Sequence, residues 1–400
     1  MGVRLVSDSI FVEPNTVIVV SGHMAMQSGD VGAPCVESRG ARVFRVADRY
    51  VGLWLVGAMV VGLAVGHLVP GASDAIARVA FGHKNLLIVA GLILMMYPPL
   101  ARVQYEKLHL LFRDIRLLGL GVLQNWVIGP LLMFALAYLF FRDRPEFMVG
   151  IILIGLVRCI DSVIVWNDLA EGDCQYCVGL AGLNVVFQIL FLPLYVYLFI
   201  TVLPDYLGLE GAILDAPMEL LVRSELVYLI IPLVAGIVSR FIGLDTVGEE
   251  RYEREFVPKV APLTLIAKVF TVAILFSLKG GYVITLTMDV LHIALPLAIY
   301  FVTMFFISYL VSAKAGTPYE QSTTLSFTAA SSNFELALVI SIAVFGIGSG
   351  QAFAAAVGPM VEVPVILGLV YVALWLRGKL FPRRIKCVGR TAIRHYRVCK

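Results

Sequence analysis

The sequence predicts an all-α protein that crosses a membrane many times. Composition carries the first part of this: 60% of the 400 residues are apolar and only 15% are charged, where a soluble domain carries about 25% charge. Mean hydropathy is +0.90. Apolar stretches of roughly 20 residues, the length that crosses about 30 Å of hydrocarbon, recur along the chain. A membrane barrel would instead show alternating segments of about ten residues. The net charge of +3 says little, because in a membrane protein the positions of the charges matter more.

The elements follow in order. Residues 1–45 read as a poorly ordered extension, or as the product of an over-early start codon. Their apolar stretch 16–20 is too short for a secretory h-region, and no basic n-region precedes it. Ten spans are expected near 50–70, 86–101, 116–140, 147–165, 178–203, 225–243, 260–278, 289–313, 323–345 and 357–377. They form two five-span units, 46–205 and 206–379, followed by a basic tail, 380–400.

Lys and Arg set the expected orientation. With the N-terminus inside, the inner segments hold Arg39, Arg42, Arg45 and Arg49; Arg102, Lys107, Arg113 and Arg116; Arg240, Arg251, Arg254 and Lys259; Lys314; and nine cations from Arg377 to Lys400. The outer segments hold only Arg78, Lys84, Arg142, Arg144, Arg223 and Lys279. The positive-inside rule then puts both termini in the cytoplasm.

The spacing also repeats. Shifting the first five spans by about 175 residues places the start of each at or near that of a later span, as transporters with internal repeats require. An odd number of spans per half makes the halves oppositely oriented, an arrangement suited to alternating access around a midplane site.

Under this shift the fourth and ninth spans correspond, and both are interrupted by polar residues. The fourth carries Arg158-Cys159 inside an apolar run, and the ninth carries Ser331-Ser332-Asn333-Phe334-Glu335. A charge at the bilayer centre costs at least ~2.5–3.5 kcal/mol and marks a pathway. The two spans are expected to unwind near their midpoints and to cross there.

Cys159 is the sharpest candidate, because a soft sulfur suits a thiophilic substrate; the alternative is a small buried hydrophobe. Glu335 can gain and lose a proton, which suits proton-driven transport; the alternative is a structural partner for Arg158. Glu362, between Pro359 and Pro364, is a second carboxylate in the last span. Asn125, Asn184 and Asn333 either bond a polar substrate or hold helices together. Trp166 suits the cytoplasmic interface. Cys174 and Cys177 form a CxxC in a cytoplasmic loop, a weak zinc or redox signal without a second pair. The six cysteines, with Cys35, Cys387 and Cys399, resemble no disulfide framework. There is no Walker motif, dinucleotide fingerprint or catalytic triad, so neither an enzyme nor a nucleic-acid partner is expected, and no cofactor or metal.

Several motifs resemble those of the arsenical-resistance-3 arsenite efflux permeases: Asn125-Trp126-Val127-Ile128-Gly129-Pro130, Gly155-Leu156-Val157-Arg158-Cys159-Ile160, Val163-Ile164-Val165-Trp166-Asn167-Asp168, Asn333-Phe334-Glu335-Leu336-Ala337 and Gly358-Pro359-Met360-Val361-Glu362-Val363-Pro364. The similarity runs over roughly residues 46–380. The resemblance implies the bile/arsenite/riboflavin transporter superfamily. It implies a ten-span plasma-membrane permease that expels arsenite, sometimes antimonite, in exchange for protons. An arsenic-transfer chaperone is a candidate partner. Cys159 matches the family's functional cysteine, Glu335 its ninth-span glutamate and Asn125 its third-span Asn. Arg158, Trp166, Asn184, Phe327, Asn333 and Glu362 stand at functionally sensitive positions.

Two departures stand out. Asp161-Ser162 replaces the family's Ala-Met, and Ser332-Asn333 replaces a paired Asn. Asp161 is either a further proton site or an acid facing cytoplasmic water. Competing readings are a sodium-coupled organic-anion carrier of the same superfamily, and a metalloid sensor using Cys174, Cys177, Cys387 and Cys399. An intramembrane aspartyl protease is disfavoured, since Glu171-Gly172-Asp173 does not fit the Gly-x-Gly-Asp context.

Overall fold

The computed structural model describes residues 51–69, 80–81, 84–106, 114–160, 162–208, 229–277, 283–346 and 348–381. The 1–45 extension, the tail beyond 381 and Asp161 lie outside them. The described chain is helical almost throughout, as apolar segments must be where no water can satisfy their backbone. The strands among the described residues are two short pieces, β1 (Ala80–Phe81) and β2 (Lys84–Asn85), paired antiparallel.

Helices α1 (Val51–Leu68), α2 (Leu86–Arg102) and α3 (Ile115–Phe141) come first. Next come the half-helices α4 (Pro145–Leu156) and α5 (Ser162–Leu169), then α6 (Cys174–Tyr206). The second half holds α7 (Ile231–Val247), α8 (Val257–Ser277) and α9 (Val283–Lys314). The half-helices α10 (Tyr319–Ala330) and α11 (Phe334–Phe345) and the long α12 (Gly350–Leu380) complete it. The described parts of the expected spans fall on helix, apart from the interruptions in the fourth and ninth. Five of these segments are long and apolar enough to cross a membrane; α4 and α11 are shorter because each is half of a broken helix. Large apolar side chains such as Leu139, Leu190, Ile242 and Trp375 point outward, as they do against lipid.

The two interruptions behave as their composition predicts. Val157 and Ser331 take extended backbone at the ends of α4 and α10. The two gaps then pair with each other. Arg158 and Ser332 form an antiparallel bridge, and the Asn333 amide donates to the Val157 carbonyl at 3.1 Å. Backbone that leaves a helix at membrane depth must be satisfied by protein, and here each gap satisfies the other.

α3 carries a local irregularity. It widens into a π turn at Gln124–Ile128, just before Gly129-Pro130. Pro130 has no N–H for the Trp126 carbonyl. The Tyr195 hydroxyl of α6 donates to that carbonyl instead, at 2.6 Å.

Packing sorts the helices into two groups. α8 lies against α1 and α2, and α2 against α7. The broken helices pack with α3, α6, α9 and α12. The groups meet where α12 touches α1 and where α11 touches α2. Within the first group, buried Arg240 of α7 donates to Glu106 at 2.7 and 3.0 Å and to Glu253 at 2.9 Å. Gly62 and Gly66 let α1 approach α8 closely: a Cβ on Gly62 would lie 2.3 Å from the Ala273 carbonyl oxygen. Small residues four apart serve this purpose between membrane helices.

Overpacking of this kind costs about 1–3 kcal/mol. Gly62→Ala should therefore lower the melting temperature of the detergent-purified protein. Gly119→Ala, on α3 with no atom within 4 Å of its Cβ position, should not. Equal melting temperatures for the two variants would contradict the α1–α8 contact.

Candidate functional site

The crossing of the broken helices builds the site. Cys159 lies in the first gap and is buried. Its Sγ is 3.0 Å from the Ser162 hydroxyl and accepts the Val163 amide at 3.3 Å. The sulfur therefore sits at the N-terminus of α5, where backbone donors are unpaired. Across from it, Asn333 caps α11: its Oδ1 accepts the Leu336 amide at 3.0 Å. Glu335 follows in the first turn of α11, where a carboxylate complements the helix dipole.

These groups share one narrow cleft. Cys159, Ile160, Ser162, Asn333 and Glu335 line one side, and Met96, Pro99 and Thr264 line the other. The first set comes from the broken helices, the second from α2 and α8. The cleft thus opens along the boundary between the two helix groups. Its free centre is ≈ 10 Å³, about one water-sized sphere.

The expected partnership of Arg158 with Glu335 is not what the structure shows. Glu335 is ion-paired with Lys268 of α8, both side chains being mostly buried. Arg158 points elsewhere and is fully buried. Its guanidinium donates to the Tyr300 hydroxyl at 3.0 Å, to the Ala329 carbonyl at 3.2 Å and to the Gly155 carbonyl. Its backbone amide donates to Gln188 Oε1 at 3.0 Å. Gly155 and Ala329 lie in the last turns of α4 and α10, so one cation serves the negative ends of two half-helices. Gly129 leaves room for it: a Cβ there would lie 2.8 Å from the guanidinium. The reason is geometric. A planar fork spans several carbonyls at once, whereas Glu335 sits beyond the gap on the next half-helix.

The remaining candidates divide. Glu362 of α12 is buried, with Oε1 unpaired among the described residues, beside Ser331 and Ser332 and in electrostatic reach of Glu335 and Lys268. It joins the cluster without lining the cleft. Asn125 and Asn184 do not line it either. Asn125 donates to the Gly121 carbonyl at 2.9 Å, and Asn184 accepts the Trp126 indole at 3.2 Å. Trp166, expected at the cytoplasmic interface, is instead buried in the core. The helix α5 that carries it is enclosed by α6, α10 and α12. Phe327 is likewise buried, its ring 5.1 Å from that of Phe305.

The CxxC also differs from expectation. Cys174 begins α6 and Cys177 is buried one turn on, its thiol 3.9 Å from the Val163 carbonyl. Among the described residues no three His, Cys, Asp or Glu side chains cluster to hold a metal. The sequence reading passed over Lys268. A lone ammonium inside the apolar run 260–278 was its signal, by the same rule that marked Arg158.

Comparison with known proteins identifies the family. The Sodium Bile acid symporter family matches residues 89–286. The arsenical-resistance protein Acr3 of Corynebacterium glutamicum is 45% identical over 335 residues, covering 84% of this chain and 90% of its own. The chain belongs to the arsenical-resistance-3 permease family. It is a multi-pass membrane transporter of the bile/arsenite/riboflavin superfamily. Acr3 of Alkaliphilus metalliredigens is 28% identical over 348 residues, covering 84% of this chain and 94% of its own. An uncharacterized transporter of Synechocystis sp. is 28% identical over 360 residues, covering 84% of this chain and 90% of its own.

The role of Arg158 in this permease is open to direct test. Arg158→Lys keeps the charge but cannot reach all three oxygens. Losing even one charged hydrogen bond costs about 1.5–3 kcal/mol. The variant should melt lower in detergent than wild type. Unchanged melting would show that the guanidinium does not hold the crossing.

Proposed function

We propose that this permease exports arsenite from the cytoplasm, and antimonite with it, in exchange for protons. The observation that carries the reading is the meeting of a buried thiol, Cys159, and a carboxylate, Glu335, in one cleft at the helix crossing. Sulfur is the soft ligand that trivalent arsenic prefers. The thiol displaces one arsenite hydroxyl and releases one water; the reverse step, hydrolysis, frees arsenite. Asn333 and Ser162 offer polar contacts to the remaining hydroxyls.

Coupling follows from charge. Arsenite is uncharged near neutral pH, so the membrane potential cannot expel it. A proton moving inward gains about 2.3 kcal/mol per 100 mV, and Glu335 is the group in the cleft that can take it. Glu362 and Asp161 are secondary proton sites in this reading. In this reading the two helix groups part along the cleft to admit arsenite. We take the chain as two inverted five-span halves, 46–205 and 206–379, with both termini in the cytoplasm.

The match to the sodium symporter family favours a second reading, a sodium-coupled carrier. Everted vesicles separate the two. Proton-coupled export gives uphill arsenite accumulation that an uncoupler abolishes and sodium does not affect. Dependence on a sodium gradient would support the second reading.

Cys159→Ala should reach the membrane yet lose resistance in an arsenite-sensitive host. Glu335→Gln should lose uphill accumulation while still exchanging labelled arsenite at equal concentrations. Uphill accumulation by Glu335→Gln at the wild-type rate, still sensitive to uncoupler, would move the coupling role to Glu362 or Asp161.

A further inference from the structure

The Lys268–Glu335 ion pair joins the two helix groups across the cleft. Lys268 is on α8, which packs with α1 and α2; Glu335 is on α11, among the broken helices. The two side chains are only 15% and 20% exposed. A pair so placed holds its elements together strongly, because separating opposite charges in low dielectric is costly. Removing one partner leaves an uncompensated charge in the membrane.

Among the described residues, the titratable groups that face Glu335 are few. α8 presents Lys268, α12 presents Glu362, and the first gap presents Cys159. α2 presents Met96 and Pro99, which carry no charge. Lys268 is therefore the cation against which Glu335 must be released. Glu362 is the carboxylate to which the freed ammonium can turn.

We propose that Lys268 is the closing cation of the transport cycle: its ion pair with Glu335 latches the two helix groups shut over Cys159, and a proton on Glu335 releases the latch. This rests on the reading above that Glu335 takes the coupling proton. The balance is simple. The closed pair is neutral. One proton from outside neutralises the carboxylate, and the ammonium keeps its charge and leaves. Loss of that proton to the inside restores the carboxylate, and Lys268 returns. The proton thereby changes the shape of the site as well as its charge. Lys268 acts on Glu335 and has no need to touch the substrate.

The test reads the latch without requiring transport. Purified protein is treated with a maleimide, and modification of the peptide bearing Cys159 is followed by mass spectrometry, which separates it from the peptides bearing the chain's other cysteines. Lys268→Met should alkylate at Cys159 about tenfold faster than wild type, and Lys268→Arg at close to the wild-type rate. In vesicles Lys268→Met should lose uphill arsenite accumulation yet retain equal-concentration exchange. Lys268→Met with wild-type alkylation and wild-type accumulation overturns the proposal.

Misassembly is handled by Lys268→Met with Glu335→Gln, which leaves neither charge. Recovery of membrane insertion in this double variant, with fast alkylation, supports the latch. Failure of the double variant as well makes Lys268 a packing residue and overturns it. The substrate reading fails separately: a wild type that moves no arsenite but shows the alkylation difference keeps the latch and discards arsenite.

Discussion

Two helices that stop inside a membrane must have their loose backbone satisfied by protein, and the rest of the structure depends on how that is done. Here each break supplies the other. The Arg158–Ser332 bridge and the Asn333 amide on the Val157 carbonyl tie the gaps together. Arg158 then binds the carbonyl ends of both preceding half-helices. The following half-helices, α5 and α11, leave their N-termini aimed into the same space. Cys159 and Asn333 use those donors, so the groups that cap the breaks also line the cleft.

The two intramembrane cations divide their work. Arg158 is fixed within one helix group, where its planar fork bonds three oxygens and a neighbouring glycine makes room for it. Lys268 belongs to the other group, and its compact ammonium pairs with the Glu335 carboxylate. A guanidinium locked among several acceptors suits a permanent joint, whereas a point charge on a flexible stem suits a contact that breaks and reforms. The boundary between the groups runs through the cleft, with Met96, Pro99 and Thr264 on one side and the thiol on the other.

Much of this was legible in the sequence. The polar interruptions at Arg158-Cys159 and Ser331-Glu335 located both breaks, because hydrocarbon tolerates such residues only where a helix gives way. The shared spacing of the halves predicted that the breaks meet. The partnering was not legible. Arg158 and Glu335 are the obvious charges of the two spans, yet the break separates them, and the carboxylate turns to a lysine on α8. Nor could apolar periodicity show that Trp166 is enclosed, since a span buried by protein and one facing lipid have similar composition. Asn125 and Asn184 look alike in sequence, but Asn125 bonds the Gly121 carbonyl of its own helix and Asn184 the Trp126 indole of α3, and neither lines the cleft.

The central claim is that the crossing presents the Cys159 sulfur to the transported metalloid. Arsenic K-edge X-ray absorption on the purified permease loaded with arsenite tests it directly. The account predicts a sulfur atom in the first shell of arsenic in the wild type, and oxygen alone in Cys159→Ala. A first shell of oxygen alone in the wild type, or a sulfur that survives in Cys159→Ala, would contradict it.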